Sequence, residues 1–192
     1  EEYKFKLIKI FNLLKDPYLI TDKKANKKLE AYLNKKGATD QIQTMRNRTI
    51  IVDDLSIEKG KGVIREAKEN DIAFLQFSSG STGDPKGVIL THKNLLTNMA
   101  AIVNGLQTDH FDSALSWMPL THDLGLIGFH LTPIFAGINQ YIMPTSLFIT
   151  NPIKWLDKAH QYRVSLTASP NFGYKHFLNF FHHEAIEDWD LS

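Results

Sequence analysis

Apolar positions along this chain switch repeatedly between a helical period and short, fully apolar runs. Tyr3, Leu7, Ile10, Phe11 and Leu14 share one stripe at helical spacing, which predicts an opening helix that Asp16-Pro17 ends. Tyr18 to Thr21 reads as a short strand, followed by a Lys-rich helix to about Lys36 that Gly37 closes. Thr49 to Val52 is a second strand, and Gly60-Lys61-Gly62 marks a loop. Asp71 to Phe77 is apolar on both faces, the pattern of a strand buried within a sheet, and Val88 to Leu90 resumes strand character after a polar loop.

The alternation continues. Thr91 is placed to cap a helix running from His92 towards Leu106. Then come a strand at Ala114 to Met118, a helix from about Leu124 to Phe135, and a strand near Tyr141 to Met143. A helix follows Pro152, a strand covers Val164 to Ala168, and Pro170 opens a helix through Phe180. Trp117 and Met118 read as core strand residues. This order predicts an α/β fold, a mostly parallel sheet flanked by helices. No internal repeat or low-complexity segment interrupts it.

Composition narrows the function classes. The 192 residues are enough for one domain, with 43% hydrophobic and 22% charged residues. A formal net charge of +1 gives no basic excess for a nucleic-acid partner. Lys23, Lys24, Lys27, Lys28, Lys35 and Lys36 alternate with apolar residues as on a solvated helix face. Cysteine is absent, which rules out a disulfide framework or a Cys nucleophile and suits a cytoplasmic location. No secretory signal or membrane-spanning run is present. The missing initiator Met and the close at Trp189-Asp190-Leu191-Ser192 read as those of an excised segment.

One segment carries chemistry: Ser78-Ser79-Gly80-Ser81-Thr82-Gly83-Asp84-Pro85-Lys86-Gly87. Its three glycines let consecutive N–H groups converge on an anion. Ser79, Ser81 and Thr82 add hydroxyl donors, Lys86 adds a mobile positive charge, and Pro85 stiffens the loop just before it. A solvated Ser/Gly linker is the plain alternative, although linkers seldom lie between two apolar strands. The ordinary NTPase loop needs Gly-Lys-Ser or Gly-Lys-Thr opening a helix. Here Lys86 stands between Pro85 and Gly87 and leads into a strand, so that pattern fails.

The stretch FLQFSSGSTGDPKGVILTHKNL resembles the phosphate-binding signature of the adenylate-forming superfamily. That group includes acyl-CoA synthetases, luciferases, peptide-synthetase adenylation domains and fatty-acyl-AMP ligases. Trp117 to Gly128 (WMPLTHDLGLIG) resembles the family's next motif. With Gln76 and the segment Ser169 to Tyr174, it looks most like the fatty-acyl-AMP ligases. Asp190-Leu191-Ser192 resembles the stretch ahead of the family's Gly-Ala-Glu-Pro turn. The detailed resemblance runs from about residue 71 to the end.

The resemblance implies that a carboxylate attacks the α-phosphate of ATP to give an acyl-adenylate and pyrophosphate, with Mg²⁺ and donors stabilising phosphoryl charge. It assigns phosphate binding to Ser79, Gly80, Ser81, Thr82, Gly83, Lys86 and Gly87. His122 matches the motif His beside the reacting carboxylate, against the plain reading of a loop His satisfied by backbone. Asp123 either orients that ring or caps the helix from Leu124, the cap being favoured. Asn171, Phe172 and Tyr174 match a segment lining the acyl tunnel, although aromatics in such a place equally serve a core. His176, His182 and His183 with Glu184 and Glu187 invite a metal reading, but no His-Glu-x-x-His pattern exists and no metal site is expected.

The resemblance further implies that residues 1–192 are a partial N-terminal adenylation domain. Its start, the C-terminal subdomain and the Mg²⁺ and ribose contacts would lie outside, so the isolated chain is expected to be inactive. The parent would pass a fatty acyl group to the phosphopantetheine thiol of an acyl carrier protein, within one polyketide or peptide synthase polypeptide. Two alternatives stand beside it: an acyl-CoA synthetase with free CoA as acceptor, and a non-catalytic nucleotide-binding or docking module.

Overall fold

The computed structural model describes residues 2–56, 62–79, 84–181 and 189–191. The chain divides into two compact units, one of Glu1–Ala67 with Phe74–Ile89 and one of Lys68–Ala73 with Leu90–Ser192. In the first unit, helix α1 (Glu2–Leu13) is followed by strand β1 (Leu19–Thr21), helix α2 (Lys23–Lys35), helix α3 (Thr39–Arg46) and strand β2 (Thr49–Ile51). Strands β1 and β2 pair in parallel. Asp22 caps α2 by accepting the Ala25 N–H at 2.7 Å. The apolar stripe of α1 delivers Phe11 to a core formed with Leu29, Leu33, Ile42 and Met45. The Lys-rich face of α2 stays in solvent, since Lys24, Lys27 and Lys28 are all exposed.

Strands β3 (Ile72–Ser79) and β4 (Pro85–Thr91) pair with each other. Residues 80–84 between them are too few for the crossover that a parallel pair needs, so the two run antiparallel. The expectation that β3 is buried on both faces fails. Ile72 and Leu75 are exposed, as are Val88 and Ile89 of β4, because among the described residues no third strand joins this pair.

The second unit is built on three parallel strands in the order β6 (Asn139–Ile142), β5 (Ser113–Ser116), β7 (Leu166–Thr167). Mostly parallel pairing is therefore right, although the described strands form three small sheets. Helix α4 (His92–Leu106) starts at a capping box in which Thr91 Oγ1 accepts the Asn94 N–H and Asn94 Oδ1 accepts the Thr91 N–H, worth about 1 kcal/mol. Residues Leu124–Leu131 wind in wide i→i+5 turns before helix α5 (Thr132–Ala136), where one ordinary helix was expected. The Thr132 hydroxyl closes the wide turns by donating to the Ile127 carbonyl at 2.7 Å. Helices α6 (Thr145–Thr150), α7 (Ile153–Tyr162) and α8 (Asn171–Phe180) complete the unit.

Trp117 and Met118 lie just past the end of β5 yet are buried in the core as expected. That core also holds Leu115, Phe148, Trp155 and Phe177. Within it the Trp155 indole N–H donates to Thr167 Oγ1 at 2.8 Å, and that hydroxyl donates to the Leu115 carbonyl at 2.9 Å, whereas the buried Trp117 indole N–H meets no partner among the described residues. Strand β7 is thereby tied to both α7 and β5.

Candidate active site

The segments leaving the carboxyl ends of β5, β6 and β7 converge, and ligands of open α/β sheets bind in the crevice outside those ends. A cleft of about 640 Å³ lies there. Trp117, Met118, Pro119 and His122 line it after β5, Thr145, Phe148 and Ile149 from α6, and Phe172, Lys175, His176 and Asn179 from α8. Its floor is aromatic: Trp117 and Phe148 stack at 3.7 Å and 4°, and the Phe172 ring meets Trp117 edge-on at 6.1 Å. Thr145 Oγ1 donates to the Trp117 carbonyl at 2.8 Å, which joins the start of α6 to the segment after β5.

His122 is held by its own backbone turn, its N–H donating to the Pro119 carbonyl at 3.0 Å. The chain folds back so tightly that a Cβ at Gly125 would strike the carbonyl oxygens of Pro119 and Met118, so only glycine fits there. The His122 ring lies with Nδ1 2.7 Å from Asp123 Oδ1. The same oxygen accepts the Leu124 N–H at 2.8 Å. Asp123 therefore combines the two roles between which the sequence left a choice, cap and ring partner.

Of the other residues singled out in the sequence, Phe172 lies on the cleft with His122. Asn171 begins α8, and Tyr174 packs against Trp155 at 5.4 Å; neither is among the cleft-lining residues. Ser79 ends β3, Gly80 to Gly83 lie outside the described residues, and Lys86 and Gly87 belong to β4. A Cβ at Gly87 would sit 3.1 Å from the Phe77 ring, so the backbone there rests directly on that side chain. Asp84, just before this point, pairs with Lys9 of α1 at 2.7 Å, and the Lys9 hydrogen bond and charge hold its carboxyl below the usual range. Lys86 and Gly87 belong to the first compact unit, and His122 with its cleft to the second.

The cleft also contains residues that the sequence reading passed over: Thr145, Phe148, Ile149, Lys175 and Asn179. For the α8 pair a signal existed, since 172, 175, 176 and 179 share one helix face. His176, read earlier as a metal candidate, has Nε2 2.9 Å from the Ile149 carbonyl and its ring 5.6 Å from Phe148. Its supposed partners His182, His183, Glu184 and Glu187 lie outside the described residues. Among the described residues no three His, Asp or Glu side chains are placed to ligate a metal. A second, apolar cavity of about 290 Å³ is lined by Leu124, Gly128 and Phe129 of the wide turns with Leu106, Thr132 and Leu166.

The sequence profile of AMP-binding enzymes matches residues 6–191, nearly the whole chain. The chain belongs to the AMP-binding enzyme family. Within this adenylate-forming ligase family, it is 44% identical over 108 residues to a medium-chain-fatty-acid acyl-carrier-protein ligase of Teredinibacter turnerae, covering 56% of this chain and 17% of that one. A putative acyl-CoA synthetase of Caulobacter vibrioides is 41% identical over 123 residues, 64% of this chain and 22% of the relative. The crystal structure of a fatty acid AMP ligase from Legionella pneumophila superposes with a TM-score of 0.85 at 32% identity, covering 100% of this chain and 32% of that one. The adenylation domain of a keto acid-selecting peptide-synthetase module matches at a TM-score of 0.84 and 29% identity, over 100% of this chain and 33% of its own. The AMP-binding fold of the present chain is thus that of the N-terminal domain of such enzymes, and it spans between a sixth and a third of their lengths.

Proposed function

We propose that this chain is a partial N-terminal adenylation domain, residues 1–192, whose parent activates a fatty acid with ATP and Mg²⁺ and passes the acyl group to the phosphopantetheine thiol of a carrier protein. The observation that carries the reading is His122, set at the rim of an apolar cleft off the carboxyl ends of parallel strands in a chain of this family. The relatives named as acyl-carrier-protein ligases and as fatty acid AMP ligases support a fatty acid as substrate and a carrier as acceptor. A carrier within the same polypeptide and a cytoplasmic location complete the proposal; among the described residues no helix is long and apolar enough to cross a membrane.

In this reading Ser79, Gly80, Ser81, Thr82, Gly83, Lys86 and Gly87 bind the β- and γ-phosphates, and His122 meets the carboxylate. Phe172, between Asn171 and Tyr174, offers the alkyl chain an apolar wall. The second cavity offers further apolar volume. Mg²⁺, when bound, neutralises phosphate charge, and its contacts are assigned largely to other parts of the parent.

A second reading, an acyl-CoA synthetase, is favoured by the Caulobacter relative's name. The test compares acceptors on the full-length parent with radiolabelled fatty acids, ATP and Mg²⁺. Acyl-adenylate should form and then acylate a holo-carrier far faster than CoA. Acyl-CoA formation matching or exceeding transfer to the carrier establishes the second reading, and no adenylate with any acid removes both. The 192-residue chain alone should release no pyrophosphate above a no-acid blank.

A further inference from the structure

We infer that Lys9 is a positioning residue for nucleotide binding: it engages the Asp84 carboxylate and so leaves the Lys86 ammonium free to meet phosphate. The inference rests on the phosphate role given to Lys86 above. Lys9 Nζ donates to Asp84 Oδ1 at 2.7 Å, joining α1 to the residue just before β4. The ammonium is aimed from its own helix, since it lies 4.9 Å from the centre of the Phe5 ring one turn earlier. Phe5, Lys9, Asp84 and Lys86 all belong to the first compact unit.

Asp84 has a cation much nearer in sequence. Residues two apart stand at most about 7 Å apart at Cα, within the reach of a lysine side chain, so a free Asp84 would attract Lys86. In the structure that pair is not made. The Lys86 ammonium has no ion pair or side-chain hydrogen bond with any described residue. The hydrogen bond and the charge that hold the Asp84 carboxyl below its usual range both come from Lys9. The Lys9–Asp84 pair is solvated, with side-chain exposures of 36% and 74%, and pairs of that kind add little to stability. What it changes is the charge beside the phosphate loop. Paired with Lys9, Asp84 neither occupies Lys86 nor presents a bare negative charge to an incoming triphosphate.

ATP–pyrophosphate exchange in the full-length enzyme at low ionic strength tests this. Lys9→Ala, which keeps a good helix former in α1, should raise KM for ATP by about threefold to tenfold, with kcat and thermal midpoint near wild type. Lys9→Arg should keep the pair and the wild-type KM. Adding Asp84→Asn to Lys9→Ala should restore KM, because no carboxylate remains to occupy Lys86. In a Lys86→Ala background, Lys9→Ala should change KM by less than about twofold, since its effect passes through Lys86. A wild-type KM in Lys9→Ala overturns the inference. So does a Lys9→Ala/Asp84→Asn enzyme no better than Lys9→Ala, or full additivity of Lys9→Ala with Lys86→Ala; either would make Lys9 itself a phosphate ligand. A wild-type KM in Lys86→Ala removes the phosphate role of Lys86 and this inference together. A raised KM there, beside a wild-type KM in Lys9→Ala, removes this inference alone.

Discussion

Gly173 lies so close to Trp117 that an added Cβ would stand 2.6 Å from the indole Cζ2, with Ser169 Oγ closer still. The indole cannot yield, because Phe148 stacks on its face at 3.7 Å and Trp155 meets it edge-on at 6.4 Å. The first turn of α8 is therefore seated directly on the floor of the cleft. Gly173→Ala should destabilise the fold by about 1–3 kcal/mol through overpacking. Urea unfolding followed by tryptophan fluorescence measures this, and an unchanged midpoint would show that α8 does not rest on Trp117.

Lys86 and His122 should fail in different ways in the full-length enzyme. Lys86→Ala removes a proposed charge-assisted phosphate contact worth roughly 1.5–3 kcal/mol, which should raise KM for ATP by about tenfold to a hundredfold. His122→Ala should instead slow adenylate formation at saturating ATP, with a smaller change in KM. ATP–pyrophosphate exchange reads both; two variants with wild-type exchange would place the site elsewhere.

Acid should expose the pair between Glu30 of α2 and Arg46 of α3. Arg46 Nε donates to Glu30 Oε1 at 2.7 Å and Nη2 to Oε2 at 3.0 Å, and chiefly these hydrogen bonds hold the Glu30 carboxyl below the ordinary value of about 4.3. A depressed carboxyl stabilises the fold above its unfolded pKa, and that stability is lost as pH falls through the folded value. Wild type should thus exceed Arg46→Ala in stability at neutral pH, with the difference shrinking towards zero below the carboxylate range. Circular dichroism melts across that range test this; a pH-independent difference would mean that Arg46 acts through packing alone.

The parts legible in the sequence were those written in local chemistry. Thr91 marked the start of α4 because its hydroxyl does the capping, and the stripe of α1 marked a helix because Phe11 enters a core. Helices α3 and α6 escaped notice because 8 and 6 residues give too few turns for a period, and neither has a side-chain cap. What holds α6 is distant, the burial of Phe148 against Trp117 and the bond from Thr145 to the Trp117 carbonyl. The wide turns were read as ordinary helix because apolar spacing over Leu124–Leu131 does not distinguish them. In the site, His122 and Phe172 were visible through motif resemblance. Thr145, Phe148 and Ile149 were not, because only the parallel pairing of β5 with β6 brings α6 beside them.

Helix α8 presents two separate faces. Gly173 and Phe177, four residues apart, are buried in the core, while Phe172, Lys175 and Asn179 border the cleft and are exposed. Of the three, Phe172 alone reaches back to the core, its ring meeting Trp117 edge-on. Natural variation or laboratory selection can therefore rewrite Lys175 and Asn179 on the cleft border of a single helix while Gly173 and Phe177 keep that helix seated.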